Sequence, residues 1–308
     1  MTPVERFARD GYFVVPELFS RAECEALLAL IVTSFGESAS SYVHASALRR
    51  HQPLRLTGEV RGAVCRLAQG ADGLLSQALT RERALAELSS ITVFPGAKAQ
   101  CIHRDESTED RQLISVFVNL APTTRDAGAL VVRPGSHRVP FTDGDDEVAL
   151  ELPQGSAVYM HAKLRHFGGA NVTTQTVRPV FYASFGALDI PGPVYSLRDD
   201  LRGRYTLDQF LPRVFASDEL ITLTPGTRLL RGLAGDGPVL VARKDGEELI
   251  ISEQLEVAEP AQLEVLQRLA RGPVQVRELP GENEKFLSAL WLAGLLTTTS
   301  LPELVGLR

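Results

Sequence analysis

Apolar spacing along this chain changes character twice, near residue 90 and again near residue 220. At the start, Val4 to Arg9 read as a short helix, and the run Gly11-Tyr-Phe-Val-Val that follows is β-rich. Ser20, with Glu23 three residues later, forms a capping-box pattern ahead of Ala26, Leu27, Leu30 and Ile31 at helical spacing. Residues 37–60 are polar and irregular; a second helix is predicted over 59–79 and a third over 81–88. From Ile91 to Phe185 the pattern becomes short β runs, predicted at 90–94, 100–104, 112–120, 129–132, 147–152, 157–161 and 179–185. Gly96, Gly128, Pro134-Gly135, Asp143-Gly144 and Gly155 punctuate them, as turns would. Short strands with regular turns predict a β-sandwich or barrel.

Past Leu220 the reading is three short strands, at 228–233, 239–243 and 249–252, then helices at about 260–271 and 282–292. This predicts two domains, 1–217 and a smaller α+β unit at 220–308. With 308 residues, 44% hydrophobic and 23% charged, the chain can bury a sizeable core. A formal net charge of −6 argues against a broad nucleic-acid surface. Cys24, Cys65 and Cys101 are dispersed, so neither a zinc knuckle nor a disulfide framework is indicated; Cys101 reads as a small apolar filler on a core strand. The first residues lack the layout of a signal peptide and no apolar run reaches membrane length, so the expected setting is cytoplasmic, with no membrane association.

The chemistry concentrates in His103-Arg104-Asp105, then His166, then Arg178. Residues two apart on a strand share a face, so His103 and Asp105 can meet one metal ion, and a later strand can add a third ligand. Two imidazoles and one carboxylate on one side of an octahedron leave positions open, the ligand set of non-haem iron(II) oxygenases. By itself the His-x-Asp pair is weak, since a strand histidine beside a surface carboxylate is common. His161 competes with His166 as third ligand. His137 and Asn171 read as loop-bracing or turn residues, with substrate orientation a second role for Asn171. His44, His51, Arg49, Arg50 and Arg55 read equally as a solvated loop or a pocket entrance.

Four segments in order carry a family resemblance: ARDGYFVVPELFSRAECEAL at 8–27, FPGAKAQCIHRDE at 94–106, DAGALVVRPGSHR at 126–138 and GSAVYMHAKLRHFGGANVTTQTVRPVF at 155–181. Together they resemble the phytanoyl-CoA dioxygenase family of Fe(II)/2-oxoglutarate-dependent oxygenases. The resemblance implies a mainly β protein with flanking helices around a double-stranded β-helix (jelly-roll or cupin-like) core. It implies His103, Asp105 and His166 as iron ligands, with the spacing to Arg178 favouring His166 over His161. It further implies Arg178 for the distal carboxylate of 2-oxoglutarate, which an arginine fork suits. Gln100 matches a position that touches the same co-substrate, although strand parity turns it away from the metal face unless a bulge intervenes.

The implied reaction consumes dioxygen and 2-oxoglutarate, releases succinate and CO2, and hydroxylates an unactivated C–H bond of a small metabolite or natural-product intermediate. Asp105 disfavours halogenation, which needs its coordination site free. The C-terminal unit resembles winged-helix-like accessory domains. Its nine Lys/Arg against twelve Asp/Glu over 223–308 favour a homodimer contact, or docking of a peptide or carrier, over nucleic acid. The competing readings are thus an oxygenase acting on a docked peptide, protein or carrier-bound substrate, and a non-catalytic oxygenase-like binding module.

Overall fold

The computed structural model describes residues 1–34, 48–106, 112–139, 146–187, 196–234, 237–244, 247–250, 260–280 and 283–298. The first helix, α1 (Pro3–Asp10), is set by local chemistry: Thr2 and Glu5 form a reciprocal capping box, and Gly11 ends the helix in the left-handed conformation at φ 79°. A side chain on Gly11 would also strike His137 and Leu164, so only glycine closes this turn. β1 (Tyr12–Val15) follows, then α2 (Arg21–Ser34), whose Ser20–Glu23 capping box is formed. α3 (Gly58–Ala78) begins at Thr57 and breaks at residues 70–73, where four residues leave helical geometry.

The remaining strands of the first unit are β2 (Arg49–Pro53), β3 (Ala84–Val93), β4 (Leu113–Asn119), β5 (Leu130–Val132), β6 (Val148–Ala149), β7 (Ala157–His161), β8 (His166–Gly168) and β9 (Arg178–Gly186). They form a six-stranded antiparallel sheet in the order β1-β7-β4-β9-β3-β2 and a three-stranded one in the order β6-β5-β8. Val132 and Leu130 of the small sheet pack with Val158, Met160 and Phe117 of the large one, so the two sheets face each other as in a jelly roll. The architecture is mainly β with a few helices.

Three sequence expectations fail here. Residues 81–88 are not a helix: from Ala84 onward they are β3, hydrogen-bonded to β2 and β9 on its two edges. Ala, Leu and Glu favour helix locally, but a strand buried on nearly every residue is decided by its neighbours. The stretch read as irregular contains β2, which extends the sheet edge through polar residues. Predicted strand 100–104 is reduced to an isolated bridge at His103.

The chain divides after Asp208 into two compact units. Residues 209–217, placed by the sequence reading with the first unit, belong to the second: Phe215 meets Trp291 edge-on at 5.8 Å, and Arg213 stacks over the same indole. The second unit holds β10 (Leu220–Leu223), β11 (Arg228–Ala234), β12 (Gly237–Lys244), β13 (Glu247–Ile250), α4 (Pro260–Leu269), β14 (Val274–Gln275), α5 (Glu284–Leu292) and β15 (Leu296–Thr298). Its sheets run β14-β10-β15 and β11-β12-β13. Leu266, Leu269, Phe286 and Leu290 from the two helices share its core with Ile221. Among the described residues no helix is long and apolar enough to cross a membrane.

Candidate metal centre and co-substrate pocket

His103 and His166 face each other across an antiparallel bridge, each backbone N–H donating to the other's carbonyl at 3.0 Å. Asp105 is held by its own N–H, which donates to Ala162 O at 2.9 Å. The side chains converge: Nε2 of His103 lies 3.6 Å and Nε2 of His166 lies 3.5 Å from Asp105 Oδ1. All three ligand atoms fall within 4.8 Å of one another. Each imidazole places Nδ1 against a backbone carbonyl, Cys101 O at 2.8 Å and Leu164 O at 2.9 Å. A carbonyl only accepts, so Nδ1 carries the proton and the Nε2 lone pair is turned toward the shared centre. Burial pushes the His166 pKa down despite the pull of Asp105, which keeps that ring neutral and ready to ligate.

These donors fit a divalent first-row metal. Cis ligands about 2.1 Å from an octahedral ion stand about 3 Å apart, so a small contraction completes the site. The opposite side opens into a cavity of about 900 Å³, whose walls include Ile91, Phe117, Leu150, Leu152, Val158 and Val180.

Arg178 lies in the same cavity, 5% exposed, on β9. Its Nε has no hydrogen-bond partner, and among the described residues no carboxylate stands beside it. Burial, and next the charge of Arg49, push its pKa down to about 9. Arg49 is buried too, and its Nη2 donates to Gly169 O at 2.9 Å and Lys98 O at 3.2 Å. Two buried guanidinium groups with no acid form a site for an anion. This fits the far carboxylate of a chelating 2-oxo acid.

Gln100 lines the cavity after all. Its N–H donates to Gly168 O and its Oε1 accepts from Gly168 N, whereas His103 pairs with His166, so three residues on one side oppose two on the other. That extra residue is a bulge and reverses the parity that would have turned Gln100 away.

Most of the other sequence candidates lie elsewhere. His161 is away from the triad, against Phe7 and His137, and burial pushes its pKa to about 4. His137 braces α1 through Ala8 O. Asn171 spends its side chain on a turn, donating to Thr176 O and accepting from Thr173. Arg50 lies over the Phe94 ring and Arg55 is exposed, while Arg49 and His51 line the cavity. His44 lies outside the described residues. Cys101 is exposed rather than a core filler; it borders the cavity, and its carbonyl orients His103.

Sequence reasoning missed Glu87. It sits on β3 in the cavity wall, where Ser184 and Ser196 hydroxyls bond its carboxyl. Burial, and then the charge of Asp105, push its pKa up to about 7. The helical look of residues 81–88 concealed it.

The facing sheets, the two-histidine, one-carboxylate triad and the buried arginine define a class, the non-haem iron(II) and 2-oxoglutarate-dependent dioxygenases. Residues 7–180 match the family model described as phytanoyl-CoA dioxygenase (PhyH), and the chain belongs to that family. It is similar to dioxygenase af480 of Aspergillus fumigatus, 28% identical over 115 residues, which are 33% of this chain and 37% of that protein. The match thus spans little more than a third of the length of that curated relative. Among solved structures it resembles the epimerase SnoN in complex with Fe3+, alpha ketoglutarate and nogalamycin RO. That likeness has a TM-score of 0.54 and 21% identity, covering 66% of this chain and 90% of the other. It also resembles apo EctD from S. alaskensis, with a TM-score of 0.51 and 23% identity over 67% of this chain and 85% of the other. These likenesses concern the fold.

Proposed function

We propose that this chain hydroxylates an unactivated C–H bond of a small metabolite or natural-product intermediate, converting 2-oxoglutarate to succinate and CO2. In this reading His103, Asp105 and His166 hold iron(II), Arg178 receives the far carboxylate of 2-oxoglutarate, and Gln100 borders that co-substrate. The observation that carries it is a buried guanidinium with an unpartnered Nε, in the same cavity as the triad. Such a cation is costly until an anion meets it, and a metal-chelating 2-oxo acid brings the anion to that place.

When bound, the iron and 2-oxo acid supply the activation of dioxygen and the oxidising power. The chain's own residues do the rest. Carbonyls of Cys101 and Leu164 fix both imidazole tautomers. Asp105 is the sole anion of the triad and lowers the charge of the centre. Arg178, Arg49 and Gln100 fix the orientation of the co-substrate, which leaves the Asp105 side of the cavity for the molecule to be oxidised. Apolar walls, among them Leu150, Leu152 and Val158, exclude bulk water.

The cavity's volume, about 900 Å³, supports a small substrate over a folded protein. The second unit, with two helices against a three-stranded sheet, we read as a winged-helix-like accessory module. The test is a succinate-release screen of purified protein with iron(II), 2-oxoglutarate and oxygen against small metabolites and peptides. Substrate-dependent succinate matched by a product sixteen mass units heavier supports the reading. Succinate stimulated by peptides alone overturns the small-molecule assignment.

A further inference from the structure

The inner wall of the cavity is a ladder of cross-strand rows with charge at both ends. At one end Arg49, Val93 and Arg178 stand opposite one another on β2, β3 and β9. Two residues on come His51, Ile91, Val180 and Asn119; then Ser89, Tyr182 and Phe117; then Glu87, Ser184 and Ser115. Rows two residues apart share a face, and the six steps from Arg178 to Ser184 span about 20 Å. The segment opposite keeps the same order. Gln100 lies at the arginine end, since a Cβ on Gly168 would meet both Arg49 Nη1 and Gln100 Oε1. Asp105 lies toward Glu87, whose carboxyl feels its charge. A short diacid held between Arg178 and the triad ends well before the Glu87 row, so that row faces the other substrate.

Its chemistry is specific. Ser184 donates to Glu87 and stands 2.9 Å from Ser115, which fixes the carboxyl in the wall. Among the described residues no Lys, Arg or His forms an ion pair with it. Next to it Phe117 and Tyr182 stack at 5.3 Å with 27° between their planes, and both line the cavity. A carboxylate without a cation, beside aromatic rings, is the arrangement that receives an ammonium group. The hydrocarbon surfaces of Ile91, Val158 and Leu150 take an apolar body.

We propose that Glu87 is the specificity-determining residue of this site, and that the substrate is a small, largely apolar molecule bearing a protonated amine that Glu87 receives. The inference rests on the dioxygenase reading above and adds the substrate class. It is tested with the full chain loaded with zinc(II) and 2-oxoglutarate, which does not turn over, using calorimetry with n-hexylamine, 1-hexanol and hexanoate at neutral pH. Wild type binds hexylammonium at least tenfold tighter than hexanol, and hexanoate more weakly than either. Glu87→Gln, nearly the same shape, removes the preference while 2-oxoglutarate affinity stays within about twofold. Equal binding of amine and alcohol overturns the proposal. So does ammonium binding that persists in Glu87→Gln, as direct ligation to zinc would. If the Gln variant does not retain 2-oxoglutarate affinity, Glu87→Asp decides: a kept ammonium preference supports the role of the charge, and a lost one overturns it. Failure of wild type to bind zinc and 2-oxoglutarate at all strikes the parent reading instead, which separates the two.

Discussion

Replacing Arg178 by Met should weaken 2-oxoglutarate binding strongly while leaving the free protein at least as stable. The guanidinium is 5% exposed, and its pKa falls well below the ordinary arginine value, to about 9, because it is buried near Arg49 without an acid. At about 1.4 kcal/mol per pKa unit, the folded protein bears up to about 5 kcal/mol for keeping this group charged. Methionine fills similar volume without that cost, offset by lost packing of the arginine stem. The expected net change in the free protein lies between zero and about 2 kcal/mol of stabilisation, a melting rise of up to about 6 °C. The bound carboxylate, by contrast, loses its fork, and affinity should fall by about 2–4 kcal/mol, roughly 30- to 1000-fold. Calorimetric titration with 2-oxoglutarate in the presence of metal, paired with thermal melts of both free proteins, measures the two effects. Unchanged affinity refutes the role. A free variant destabilised by more than about 2 kcal/mol refutes the claim that the cation is uncompensated.

Other perturbations reach other parts of the account. Asp105→Ala removes the only anionic ligand, so metal affinity should drop on the order of 100-fold or more, and oxidation should cease; chlorinated product from either form in chloride buffer would contradict the reaction class. Gly168→Ala places a Cβ 2.5 Å from Arg49 Nη1 and 2.7 Å from Gln100 Oε1, so both side chains must shift. A loss of about tenfold in 2-oxoglutarate affinity is expected, with a stability cost of about 1 kcal/mol, read by calorimetry and denaturant titration. His161 is held neutral in the fold, its pKa near 4 against an ordinary 6.5, because it is buried beside His137 and Lys163. A depressed pKa leaves its stability contribution whole above pH 6.5 and removes it as pH falls toward 4, by at most about 3 kcal/mol. His161→Gln should flatten the stability profile in that window, and an unchanged slope would assign the acid sensitivity elsewhere.

Much of the metal site was readable because strand geometry makes spacing informative. His103 and Asp105, two apart, do converge although the predicted strand is only a bridge at His103, and the four family-like segments pointed to His166 and Arg178. Gln100 was harder, since its side depends on a bulge that only the pairing of 100 with 168 and 103 with 166 reveals. β3 was misread because Ala-Leu-Ala-Glu-Leu is good helix sequence, and its strand state comes from pairing with β2 and β9, which lie far away in the chain. With that error Glu87 went unnoticed as part of a cavity wall. Arg49 stayed open between pocket entrance and solvated loop, because its polar edge strand has no apolar alternation to announce it. Local pattern thus disclosed the candidate ligands, and tertiary pairing decided which charged residues line the cavity with them.

The most direct test of the central claim is an anaerobic titration of the purified chain, first with iron(II) and then with 2-oxoglutarate. One iron per chain, tight 2-oxoglutarate binding only when iron is present, and loss of both in His166→Ala are the predicted results. Binding of 2-oxoglutarate that is indifferent to iron, or iron binding that survives in His166→Ala, would contradict the assignment of this cavity.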